Sequence, residues 1–160
     1  MTENSPTENK EPQSVEQIIN TLDTEYEKRL DALKQELSNC FDIDPDRLED
    51  ENIRTISNLH LWLSRLAVEK QALKQLLRSR QLRYSQLHEE FRTGKRGAIT
   101  LTDKGIDVWI QRDSRYQYLS SYCDQQEVLV DYINDICWAL KNSKMTALKN
   151  LQDIKRLELG

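Results

Sequence analysis

Glycine and proline are scarce in this chain, with four and three in 160 residues. Sandwiches and barrels of short strands need turn residues at close spacing, so those folds drop out. Cysteine is scarce too: Cys40, Cys123 and Cys137 are odd in number, far apart, and form no CxxC pair. That excludes a disulfide framework and the usual zinc spacings. No run of about 18 apolar residues exists, so no membrane-spanning helix is expected. The first thirty residues are polar and acidic without an apolar stretch, so no secretory signal is expected and the address is cytoplasmic. His60 and His88 have no partner at ligand spacing, and HExxH, GxxxxGK[ST], GxGxxG and GxSxG are all missing. With no nucleophile, metal or cofactor constellation, the chain is not expected to be an enzyme.

Leu, Glu, Lys, Arg and Gln are abundant, which favours helix. The formal net charge of -4 conceals a strong asymmetry. Residues 1–51 carry five Lys/Arg against fifteen Asp/Glu. Residues 65–96 carry nine Lys/Arg (Arg65, Lys70, Lys74, Arg78, Arg80, Arg83, Arg92, Lys95, Arg96) against three acids. An acidic front beside a basic middle suggests that the middle meets a polyanion, although a solvated helix face has the same composition.

Residues 1–13 cannot bury a core and read as a disordered acidic tail. Ser14 and Gln17 fit a capping box. Ile19, Leu22, Tyr26, Leu30, Leu33 and Leu37 then recur at steps of three and four, predicting an amphipathic helix over 15–39 whose rhythm permits a coiled-coil seam. Ser38–Ile43 breaks it. Asp44 is placed as the cap of the next helix and Pro45 at its first position. No Gly or Pro follows until Gly94, so one helix can run from Pro45 to about Arg92, roughly 70 Å. Its own chain is too short to cover it, so a partner is expected.

Residues 98–112 admit a hairpin turning at Asp103-Lys104-Gly105, or a helix capped by Thr102 with Ile106, Trp109 and Ile110 on one face; the helix is preferred. Residues 113–141 are helical by composition, and Asn142-Ser143 marks a break or kink. A final helix over about 144–158 sets Met145, Leu148, Leu151 and Ile154 at steps of three, with Leu157 beyond. So short a helix needs its apolar stripe docked, either internally or at a subunit interface.

On a helix, Lys70, Lys74 and Arg78 form one stripe, with Arg80 and Arg83 around the circumference and Arg92, Lys95 and Arg96 flanking a glycine-bounded turn. Long cations of this kind meet phosphates. Trp62, Tyr84 and Phe91 are interleaved, but they fall among apolar positions and are expected to pack inside. The order of elements is thus an acidic tail over 1–13, an acidic helix over 14–41, a long basic helix over 42–97 and a helical C-terminal region over 98–160.

The blocks Leu61-Trp62-Leu63, Glu90-Phe91-Arg92-Thr93-Gly94, Val130-Asp131-Tyr132, Ala139-Leu140-Lys141, Ala147-Leu148-Lys149, Leu151-Gln152-Asp153-Ile154-Lys155 and Leu157-Glu158-Leu159-Gly160 follow one another in an order and spacing that resembles the UvsY-type phage recombination mediators over roughly residues 42–160. The resemblance implies an all-α, elongated protomer that binds single-stranded DNA and helps load a RecA-like recombinase onto strands covered by single-strand-binding protein. It implies a homo-oligomeric ring of the hexamer class, joined through C-terminal helices that map to Met145, Leu148, Leu151, Ile154 and Leu157. The family's DNA-contacting Lys-x-Arg pair aligns with Ser85 and Leu87, so the nearest cations are Arg78, Arg80 and Arg83, about one turn earlier. Residues 1–41 have no clear counterpart in the family; they either contact partner proteins or mask the basic patch. The competing expectation is a structural coiled-coil scaffold or adaptor without DNA binding, which leaves the basic middle unexplained.

Overall fold

The computed structural model describes residues 15–95 and 102–158. Five α-helices follow in order: α1 (Val15–Leu37), α2 (Leu48–Arg92), α3 (Asp103–Gln111), α4 (Ser114–Ala139) and α5 (Met145–Glu158). A π-helical turn, Leu140–Lys144, joins α4 to α5 without interrupting the helical backbone. The described chain is all-α. The expected tail over 1–13 and the Ser14 cap lie outside the described residues.

α1 carries the anticipated rhythm: Leu22 and Leu33 are buried, and Tyr26, Leu30 and Leu37 are half-buried. That face packs within its own chain, against α4. The next helix begins three residues later than expected. Asp44 accepts from the Asp46 N–H and its carbonyl from Arg47 N–H, so Asp44-Pro45 forms a turn ahead of α2. Asp44 satisfies a turn amide rather than the helix terminus. Glu49, Asp50 and Glu51 then fill the first turn of α2, where carboxylates are favoured by the helix dipole. α2 stops where predicted. Gly94 takes φ 70°, the Lys95 N–H reaches the Glu90 carbonyl at 3.1 Å and the Gly94 N–H reaches Phe91 at 3.3 Å. This Schellman pair needs a left-handed residue that glycine supplies without a Cβ clash.

α3 settles the two readings of 98–112 in favour of helix for its described part. The Thr102 hydroxyl accepts from Gly105 N–H at 3.3 Å, and Ile106 and Ile110 are buried. Asp113 caps α4, accepting from Tyr116 N–H at 3.0 Å.

α2 and α4 lie antiparallel. Arg83 meets Asp113 at one end, Glu69 meets Gln126 in the middle, and Glu51 meets Lys144 at the other. The main core gathers Leu33 of α1, Trp62 and Leu66 of α2, Leu129, Val130, Ile133, Ile136 and Cys137 of α4, and Leu140. A smaller core at the far end joins Leu87 of α2 to Ile106 and Ile110 of α3. The long helix is therefore partly covered by its own chain. Ile53, Ile56, Leu61, Leu63, Val68, Leu77 and Leu82 remain exposed on its other faces.

The kink expected at Asn142-Ser143 is the π-turn. It carries Lys144 inward, where the ammonium is nearly sealed from solvent. Nζ donates to the carbonyls of Cys40 (2.7 Å) and Asp42 (2.9 Å) and pairs with Glu51 at 3.3 Å. One buried cation thus ties the α1–α2 connection to α4 and α2, with its donors used.

Candidate nucleic-acid interface

α2 sorts its cations by helical bearing. At 3.6 residues per turn, Lys70, Lys74, Arg78 and Arg92 fall within an arc of about 80° that begins beside the buried face, about 40° from Leu66, and runs round to the outer side of α2. All four are exposed, and none has an ion-pair partner among the described residues. From Lys70 to Arg92 the stripe runs about 33 Å. Gln81 and Ser85, exposed and uncharged, occupy the same arc, with Glu89 at its border. Lys95 continues the line, exposed beyond the Gly94 turn. Arg96 lies outside the described residues.

Arg83 and Arg80 point the other way, toward α4. Arg83 forms a bidentate pair with Asp113, Nε to Oδ1 at 3.2 Å and Nη2 to Oδ2 at 2.6 Å, with both side chains largely withdrawn from solvent. Its charge is spent on the carboxylate that also caps α4, so Arg83 belongs to the framework. Arg80 is half-buried, 4.0 Å from Asp124. Sequence spacing could not separate these arginines from Arg78, because their partners are some thirty and forty-four residues away.

Among the described residues, the acidic first helix meets α2 away from the stripe. Glu36 of α1 pairs with Arg65 at 2.6 Å, and Arg29 pairs with Glu69 at 2.8 Å. Gln126, buried on α4, donates to Glu69 Oε2 at 2.6 Å and completes this clasp. Among the described residues, no α1 carboxylate pairs with Lys70, Lys74 or Arg78.

The aromatic residues divide differently from the expectation. Trp62 is buried, while Tyr84 and Phe91 are half-buried around the smaller core. Tyr84 Oη donates to Asp107 at 2.6 Å, and that bond to a carboxylate holds its phenol above the ordinary value. Trp109 shares a helix face with Ile106 and Ile110, as the spacing expects, but at the edge of that face it is 47% exposed while the two isoleucines are buried. The Arg112 guanidinium lies over its ring at 5.4 Å, and Phe91 approaches at 6.4 Å between centroids. Lys104 and Val108 on this short helix and Arg112 at its C-cap are all exposed, at i, i+4 and i+8. That spacing was legible in the sequence and is the signal by which this surface could have been found.

The C-terminal stripe also divides. Leu148 is fully buried inside the protomer, and Met145 and Leu151 are half-buried. Ile154 and Leu157 are exposed, the latter at 83%. The first turns of α5 therefore dock internally against α2 and the π-turn, and its last turns are available to another surface.

Burial raises the thiols of Cys123 and Cys137 above their ordinary value, which suppresses the reactive thiolate. Among the described residues, no group of three or more His, Cys, Asp or Glu could hold a metal ion, and no helix is long and apolar enough to cross a membrane. The main concavities are open grooves, such as one of about 520 Å³ lined by Arg29, Val68, Ala72, Ser79 and Tyr122.

No family model and no curated protein matches the sequence. Among solved structures, the chain is similar to the crystal structure of the bacteriophage T4 recombination mediator protein UvsY, at 18% sequence identity and a TM-score of 0.71. The match covers 82% of this chain and 98% of that chain. Such a likeness establishes a shared fold, the one the sequence blocks led us to expect. It covers more of the chain than residues 42–160 make up, so it reaches into the N-terminal segment expected to lack a counterpart.

Proposed function

We propose that this protein is a non-catalytic recombination mediator that binds single-stranded DNA and helps load a RecA-like recombinase onto strands covered by single-strand-binding protein. The observation that carries the proposal is the stripe Lys70, Lys74, Arg78 and Arg92, exposed and without ion-pair partners among the described residues, on a protomer of the mediator's fold. Charge alone holds a polynucleotide backbone, so no base-reading motif is required. The likeness also supports assembly into a homo-oligomeric ring. Exposed Ile154 and Leu157, with the uncovered apolar residues of α2, offer surface for it. Repetition of the stripe around a ring gives avidity that one protomer lacks.

The test is a single-strand gel shift at low and moderate salt, with native mass measured by light scattering alongside. A retarded complex that dissociates steeply as salt rises supports the proposal. An assembled protein that shifts no single-stranded DNA at low salt would leave the scaffold reading in its place.

A further inference from the structure

Resting on the single-strand reading above, we propose that Trp109 on α3 is a base-stacking platform, with its ring receiving an unstacked base and Arg112 receiving the adjoining phosphate.

Three observations lead there. First, Trp109 is a large apolar side chain left nearly half-exposed although its helix has a buried face available, which Ile106 and Ile110 occupy. Second, the ring is held in place: Arg112 lies over it at 5.4 Å and Phe91 packs 6.4 Å away, so little side-chain freedom remains to be lost when a ligand binds. Third, the surroundings suit a polyanion more than an apolar partner. Arg112, the cation at the ring, has no ion-pair partner among the described residues. Asp113 is neutralised by Arg83, whereas Asp107 keeps its charge while accepting from the Tyr84 hydroxyl and lies about 160° round α3 from Trp109. Asp103 stands in the first turn of α3, about two turns before Trp109.

The position also fits the stripe on α2. Phe91 packs against Trp109, so the indole stands at the end of α2 that carries Arg92, with Lys95 just beyond the Gly94 turn. Charge along α2 followed by a ring at its exit is the combination by which single strands are held without sequence reading, because every base has a π-face. An Arg over one face of an indole is itself a favourable cation–π arrangement, and it leaves guanidinium N–H groups free to meet phosphate.

The experiment uses the full chain with two probes of equal length, an oligothymidylate and an abasic strand with the same phosphates. Trp109→Ala should weaken oligothymidylate binding roughly tenfold, within the range of one base–aromatic stack, and leave abasic binding unchanged. Trp109→Phe should retain most of the wild-type affinity, which guards against a folding defect in the alanine variant. Native mass should be the same for all three proteins. Equal affinity of wild type and Trp109→Ala for oligothymidylate overturns the platform while leaving the single-strand reading intact. Loss of assembly in Trp109→Ala would make this face a subunit contact and likewise overturns it. A wild-type protein that binds neither probe overturns both readings together.

Discussion

Replacing Lys70, Lys74 and Arg78 together with alanine removes three exposed charges and disturbs no ion pair among the described residues. On single strands, each neutralised phosphate contributes about 0.7 to the slope of log affinity against log salt. Three lost contacts should lower that slope by about 2 for each protomer engaged. Between about 50 and 200 mM salt, a fourfold change, the wild-type affinity should then fall roughly 15- to 20-fold more than that of the variant. Extrapolated against a 1 M reference, the same contacts are worth about two orders of magnitude in affinity near 0.1 M salt. Fluorescence anisotropy of a labelled oligothymidylate, titrated at four salt concentrations, measures this directly. The control is Arg80→Ala with Arg83→Ala, whose charges already face Asp124 and Asp113 and whose loss should leave the slope nearly unchanged. A triple variant with the wild-type slope, or a control pair that flattens it instead, would refute the division of α2 into a free and a committed face.

Further outcomes concern the framework. Arg83→Ala strips the bidentate partner from a largely buried Asp113 and should cost about 2–3 kcal/mol in urea unfolding; an unaltered midpoint contradicts its structural role. Lys144→Met leaves the Cys40 and Asp42 carbonyls without their donor and Glu51 with Arg54 alone, and a loss of about 2–4 kcal/mol is expected by the same measurement. In α5, Leu148→Ala empties a fully buried position and should destabilise by about 2–5 kcal/mol. Leu157→Asp should leave protomer stability within about 0.5 kcal/mol while lowering the native mass. Equal thermal shifts for the two α5 variants would show that the stripe is not divided.

Much of the architecture was readable because it rests on local rules. The α1 rhythm, the Gly94 exit, the Thr102 cap and the disturbance at Asn142-Ser143 each depend on residues within a few positions of one another. What escaped depended on distant partners. Arg78, Arg80 and Arg83 have one chemistry and neighbouring numbers, yet Asp113 and Asp124 on α4 separate them. Trp109 sits at the edge of an arc whose centre, Ile106 and Ile110, is enough to fill a small core, and periodicity alone does not tell which member of a face stays exposed. Leu148 shares its spacing with Ile154 and Leu157, yet it is buried inside the protomer while they are exposed, a difference that spacing does not encode. Asp44-Pro45 matched a helix-start pattern that an Asx turn shares.

The π-turn at Leu140–Lys144 has a consequence for phase. A wide turn of this kind holds one residue more than the α-helical repeat allows, which offsets everything after it by roughly 100° of azimuth. The direction in which Ile154 and Leu157 face is therefore set by a feature some ten residues upstream. Deleting a single residue from 140–144 would return the rod to uniform winding, withdraw Lys144 from its carbonyls and swing the exposed end of α5 to a new heading. Such a deletion would alter which surface a neighbour meets while leaving every side chain beyond it chemically unchanged.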